Sequence, residues 1–278
     1  MAPDINAVKE YFLKNIVFNG KFDKYSAAYV VTNEDIRSAM NFMPKDTENA
    51  LTVAGSGDHP MFIKIYGAKN IDTFDLSYNA KLIMDIKTAA LPILKHAEYY
   101  NFLKNIYFAE DLLSVENMPK IIEKLPYEEK AYIAAMRNCR LFNHGLNPDS
   151  YLDTNNPFPS LTEFKKMQEG ITEPFNFIWS DIASLHTELD KTYDFMHLSN
   201  ILDYIKEQDA LNILASLMQH THVGSVIYFE TFHYCSLPDH LFMAPNHRRF
   251  MINKNQIWAY KRVRQKLGED VHAMQRLR

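Results

Sequence analysis

Gly55-Ser56-Gly57 and, twenty residues after Gly55, Asp75 form the grouping in this 278-residue chain with the clearest chemical use. A glycine pair after an apolar run lets backbone N–H groups come close to a ligand, and the helix that follows turns its positive end to the same place. A carboxylate at the end of the next strand can accept both hydroxyls of a ribose. Ser56, Asp58 and Leu76 flank these positions. The grouping departs from the dinucleotide pattern G-x-G-x-x-G, because Pro60 stands where the third glycine belongs. An adenosine-type ligand, a dinucleotide and a plain structural turn are the readings left open at this point.

Two later stretches add polar groups at strand ends. In "WSDI", Asp181 follows a short apolar run and is placed to accept from an adenine amine, with Ile182 placed to cover the ring. In "YDFMHLSNILDYI", Ser199 and Asn200 fall at the next strand tip, beside the reactive end of a bound ligand. Asp181 and Ser199 could equally be helix caps. Asp203 and Tyr204 just beyond, and Glu34 in the N-terminal region, are the candidates for catalytic proton transfer. Tyr29 and Arg140 are candidate donors to a ligand carboxylate. His197 alternates with apolar neighbours and reads as a core histidine. No metal is expected: His220 and His222 form H-x-H, His233 and His240 are loosely spaced, and His59 sits by the glycine turn. None of them has ligand spacing with acids or cysteines.

The elements that must carry these residues follow from periodicity. "INAVKEYFLKN" is helical, and "TNEDIRSAMNFM" reads as a helix capped by Thr32 or Asn33. "ALTVAG" is a strand buried on both faces. "HPMFIKIYGA" is a helix with Pro60 in its first turn and Gly67 near its end, and "NIDTFDLS" is the second strand. A long helical stretch from Asn79 breaks near Pro92. Residues of about 108–170 have no strand-like runs and read as a helical insertion ending in a loop. Strand and helix then alternate through "FNFIWSDI", "YDFMHLSNI", "VGSVIYFETF" and "QIWAYKRV". This alternation predicts an α/β chain with a mainly parallel, doubly wound sheet. Residues 1–48 form a helical lead-in, and 49–278 form the ligand-binding domain with its insertion. In such sheets ligands lie beyond the carboxyl ends of the strands, where strand order reverses.

The order of glycine turn, acid after the second strand, S-D-I and Y-D-x-x-x-x-S-N resembles the class I S-adenosylmethionine-dependent transferases. Within them, the stretches around residues 50–105 and 175–205 resemble the S-adenosylmethionine:diacylglycerol 3-amino-3-carboxypropyltransferases, the betaine-lipid synthase A-like family. The resemblance is carried by Ser56-Gly57-Asp58, Asp75-Leu76-Ser77 and Ile86-Lys87-Thr88-Ala89-Ala90. Ser77 departs from the family's asparagine. The resemblance implies a Rossmann-like class I methyltransferase fold and S-adenosylmethionine as cofactor. It also implies transfer of the 3-amino-3-carboxypropyl arm to a hydroxyl or similar nucleophile. Methyl transfer from the same cofactor is the alternative, and a non-catalytic nucleoside-binding module the second alternative.

Composition narrows the remaining choices. A 47% hydrophobic content supports a sizeable core, and eight glycines with 12 prolines and no Gly/Ser-rich tract argue against long flexible linkers. Two cysteines, Cys139 and Cys235, far apart and outside any C-x-x-C, fit a reducing compartment, and the N-terminus lacks a signal-peptide pattern, so a cytoplasmic location is expected. The net charge of −4 hides an asymmetry: from His247 onward nine Lys/Arg face two acids. That tail reads as a solvated basic helix or as a face for phosphate or anionic lipid. A small-molecule or lipid acceptor is expected, with contact to a membrane surface through the tail as one option. Nucleic acid is not expected, because no RNA-binding motif is present and the body is acidic. Oligomeric state is not legible.

Overall fold

The computed structural model describes residues 3–14, 23–104, 106, 116–136, 139, 141–143, 158–231, 248–253, 256–264 and 270–276. Arg140, His233, Cys235, His240 and most of the loop in the insertion lie outside them. The chain forms two compact units, each assembled from several segments. One comprises Met1–Ile36, Ala54–Ile65 and Asp75–Trp179; the other comprises Arg37–Val53, Tyr66–Phe74 and Ser180–Arg278.

The second unit is built on a sheet. Its strands are β2 (Asn49–Val53), β3 (Asn70–Asp75, through Phe74), β6 (Tyr193–His197), β7 (Thr221–Thr231), β8 (Arg248–Asn253), β9 (Gln256–Arg264) and β10 (Asp270–Arg276). They lie in the order β3-β2-β6-β7-β10-β9-β8. The first four are parallel, with Val53 opposite Phe74 and Thr52 opposite His197. A further strand, β5 (Asn176–Trp179), belongs to the first unit. Leu51, Phe195, Met196 and Ile227 are fully buried, as continuous apolar strands of a covered parallel sheet require. The expected doubly wound, Rossmann-like architecture is therefore present. Strand order reverses between β2 and β6.

At the other edge the expectation needs correcting. β10 runs antiparallel to β7, and β9 pairs antiparallel with both β10 and β8. The basic tail is thus largely strand, not helix. The links between these strands, two and five residues long, are too short for the crossover helix that a parallel partner needs, so the chain can only double back.

The first unit is helical. Its helices are α1 (Ile5–Lys14), α3 (Asp58–Ile65), α4 (Tyr78–Ala90), α5 (His96–Lys104), α6 (Met118–Lys124), α7 (Tyr127–Ala135) and α8 (Leu161–Gly170); α2 (Ile36–Met40) begins at its boundary. Ser77 caps α4 by accepting from Asn79 N–H, and the helix ends just before the residue preceding Pro92. Residues 23–35 are not helical as expected. They run along the start of α4, where Tyr78 N–H donates to Lys24 O (2.9 Å) and Ser77 Oγ to Ser26 O (2.6 Å). Ala28–Tyr29, as β1, pairs in parallel with β4 (Phe142–Asn143), a short pairing inside the stretch read as strand-free. Among the described residues, α9 (Ile182–Leu185) and α10 (Glu207–Leu217) belong to the second unit. No helix among the described residues is long and apolar enough to cross a membrane.

Candidate active site

The glycine turn is a tight reversal closed by Gly57 N–H donating to Ala54 O at 2.7 Å. Gly55 and Gly57 both have positive φ, +51° and +82°, which L side chains rarely adopt. Gly57 is further constrained: a Cβ there would stand 2.8 Å from Met84 Cα. Its place in the motif is therefore set first by close packing of the turn on α4.

Asp75 meets this turn directly. Its Oδ2 accepts from Gly55 N–H (3.0 Å) and its Oδ1 from Ser77 N–H (2.8 Å). Burial pushes the carboxyl up to about 6, against the opposing pull of the Ser77, Gly55 and Leu76 N–H groups and of His59. Leu76 is held through its carbonyl, which accepts from Trp179 Nε1 at 2.8 Å, and the Trp179 ring packs with Tyr25 and Tyr78.

Asp58 has a scaffold role. Its Oδ1 accepts from Lys87 Nζ (2.6 Å), and its Oδ2 accepts from Ser56 Oγ (2.7 Å) and Thr32 N–H (2.9 Å). Lys87 is fully buried; burial pulls its pKa down, and Asp58 opposes that. The side chains of Ser56 and Asp58 therefore tie the turn to α4 and to the lead-in. The signal was in the sequence: Lys87 belongs to the same helix end that carries the family resemblance, and the structure joins it to the Ser-Gly-Asp turn.

Glu34 is almost fully buried and lies 3.0 Å from Nε2 of His59, itself buried. Thr32 Oγ1 accepts from Glu34 N–H (3.2 Å), so the lead-in residue that binds Asp58 also fixes Glu34. Thr32 thus supports this bend rather than capping a helix, and α2 begins only at Ile36. Tyr29, a candidate donor, is 37% exposed on β1.

In the second unit, Ser199 follows β6 with φ +55°, a left-handed conformation uncommon for a residue with a side chain. Its carbonyl accepts from Glu230 N–H (2.9 Å), and its Oγ donates to Asn200 Oδ1 (3.4 Å). Such strain concentrates at functional sites. Asp203 and Tyr204 lie on the short 3-10 turn Ile201–Tyr204, with Tyr204 58% exposed. Asp181 is the N-cap of α9, accepting from Ala183 N–H at 2.9 Å, while Ile182 is buried. The cap reading of Asp181 is thus realised. His197 is fully buried and stacks on Tyr228, as a core histidine. His222 pairs with Asp194 at 2.8 Å, and His220 faces the Lys191 carbonyl. Within the first unit the fold brings together Gly55, Ser56, Gly57, Asp58 and Asp75, and binds Glu34 to His59. Within the second it sets Ser199 and Asn200 directly before the turn carrying Asp203 and Tyr204.

No protein-family model matches the chain, and no curated protein matches it. Solved structures do show likeness. An rRNA methylase from Streptococcus thermophilus is 8% identical with a TM-score of 0.38, over 88% of this chain and 98% of that one. An S-adenosylmethionine-dependent methyltransferase from Clostridium acetobutylicum is 12% identical with a TM-score of 0.32, over 98% and 81%. An N-methyltransferase from Bradyrhizobium japonicum, in complex with S-adenosyl-L-homocysteine, is 9% identical with a TM-score of 0.35, over 83% and 78%. These likenesses are distant. The doubly wound, Rossmann-like architecture rests on the strand order itself.

Proposed function

We propose that the chain is an S-adenosylmethionine-dependent transferase. The observation that carries this reading is the 3.0 Å hydrogen bond from Gly55 N–H to Asp75, which joins the turn after β2 to the acid ending β3. A carboxylate fixed there beside the glycine turn is an acceptor suited to a ribose hydroxyl of an adenosyl group. Leu76 is proposed to bound the adenine. From the second unit, Asp181 and Ile182 are proposed for the adenine, and Ser199 and Asn200 for the reactive end, each on its sequence position. The bound sulfonium supplies an activated carbon; the chain's own task is to hold an acceptor in line with it, about 3 Å away.

Methyl transfer is the lead reaction, since the architecture alone supports nothing finer. Transfer of the 3-amino-3-carboxypropyl arm is the second reading, favoured by one observation. The Lys87–Asp58 ion pair joins two of the three segments that resemble the betaine-lipid family. The acceptor is proposed to be a small molecule, with a lipid approached through the basic C-terminal strands as the variant that goes with arm transfer. A cytoplasmic setting and the catalytic candidates Asp203, Tyr204 and Glu34 belong to the same proposal.

The test is mass spectrometry of nucleoside products after incubation with S-adenosylmethionine and cell extract. S-adenosylhomocysteine is the expected product, and methylthioadenosine would establish arm transfer instead. Cofactor binding with neither product would leave a nucleoside-binding module.

A further inference from the structure

Resting on the transferase reading, we infer that Trp179 is the platform on which the cofactor's adenine stacks, and that Lys24 covers it until the ligand arrives. Trp179 ends β5, and its ring is held at three points within the first unit. Its Nε1–H donates to Leu76 O at 2.8 Å. The Tyr78 ring packs on it with centroids 5.4 Å apart, and Tyr25 meets it edge-on at 6.2 Å. The indole's single polar group is thereby used, so what the ring still offers a ligand is its π-face. The ammonium of Lys24 lies over that ring, 5.9 Å from the centroid. Lys24 is exposed, whereas Trp179, Tyr25, Leu76 and Asp75 are half-buried.

Covalent geometry links this ring to Asp75. In an adenosyl group the base is bonded to the ribose carbon beside the 2′-hydroxyl. A ribose held by Asp75 therefore brings its base to the next residue, Leu76, whose carbonyl is the one that Trp179 grips. A flat base stacks well on a flat indole. An exposed lysine over the same ring is a weaker occupant, because water competes for its charge. The base thus takes the face, and the ammonium returns to solvent. Lys24 O accepts from Tyr78 N–H at 2.9 Å, so the lysine backbone stays on the start of α4 while its side chain moves away.

Measurements on the full chain test this. The ligand is S-adenosylhomocysteine, which has no net charge, so that loss of a lysine does not alter affinity through simple repulsion. By calorimetry, Trp179→Leu should raise its Kd roughly tenfold or more. Lys24→Ala should lower it about two- to fivefold, since the competitor for the ring is gone. Packing alone would not move the two variants in opposite directions. The chain has two tryptophans, so in Trp258→Phe the emission comes from Trp179. Saturating S-adenosylhomocysteine should quench that emission, and methionine, which lacks the base, should not. An unchanged Kd in Trp179→Leu overturns the proposal, as does a Kd in Lys24→Ala that is unchanged or raised. Should Trp179→Leu fail to fold, the emission decides: a silent Trp179 at saturation overturns the proposal. A wild-type chain that binds neither S-adenosylmethionine nor S-adenosylhomocysteine sinks the transferase reading, and this inference with it. Binding that leaves Trp179 silent sinks the inference alone.

Discussion

Asp75 accepts from Gly55 N–H in the glycine turn and from Ser77 N–H, and its proposed ribose role is testable through its proton. A ligand that donates to both oxygens favours the ionised form, so binding of S-adenosylmethionine should release a proton near the free carboxyl's value of about 6. Affinity should therefore fall by up to about tenfold per unit as pH drops below that value. Calorimetry at pH 6 in two buffers of different ionisation enthalpy reads the released proton; affinity flat from pH 5 to 7.5 would remove Asp75 from the ribose. For the free protein the sign is opposite. The folded value lies above the ordinary 3.8, so this group's contribution to stability is fully present below that value and is lost as pH rises through about 6. Asp75→Ala should also cost stability, because the substitution strips Gly55 and Ser77 N–H of their acceptor, at about 1–3 kcal/mol for each that stays buried. Gly57 is the sharper stability probe. A methyl group 2.8 Å from Met84 Cα, added to a φ of +82°, should make Gly57→Ala cost roughly 2 kcal/mol or more. A thermal midpoint unchanged by that substitution would show that the turn does not pack on α4 in this way.

Between elements, a buried pair fastens the start of α3 to α4. Lys87 is fully buried and Asp58 nearly so, and Asp58 also receives a hydroxyl and a lead-in N–H. Removing one partner leaves a charge in the interior. Lys87→Met should therefore cost about 3–5 kcal/mol in urea unfolding, and adding Asp58→Asn should recover part of that loss. Additive losses in the double variant would mean that the two side chains do not act as a pair. The Ser-Gly-Asp turn and the Lys-Thr-Ala-Ala helix end are two halves of one contact. The sequence displays both halves 29 residues apart but does not say that they touch.

For the molecule as a whole, a second buried cluster shapes the pH–stability curve. Lys81 pairs with Asp85 (2.5 Å) and with Glu129, linking α4 to α7. One ammonium balances one carboxylate, so the other carboxyl keeps its proton. Burial and the adjoining Asp85 push Glu129 up to about 9, while Lys81 pulls the other way. The folded chain thus holds a proton that the unfolded chain gives up near the usual 4.5. This contribution is full below pH 4.5 and disappears as pH climbs through about 9. The melting temperature should decline across that window, and Glu129→Gln should flatten the decline. An unaltered slope in the variant would assign the proton elsewhere.

The sequence by itself determined whatever depends on local periodicity and on single special residues. The parallel strands β2, β3, β6 and β7, the break before Pro92, the glycine turn and Asp75 were all legible there. Continuous apolar runs, proline geometry and positive φ act over a few residues and leave a trace at that range. Tertiary structure decided the rest. It made the C-terminal segments antiparallel strands, because short links forbid a crossover. It gave the side chain of Asp58 to Lys87 and Thr32, and it joined Glu34 to His59. Those partners lie 25 to 29 residues apart, and only close packing sets which buried charge answers which.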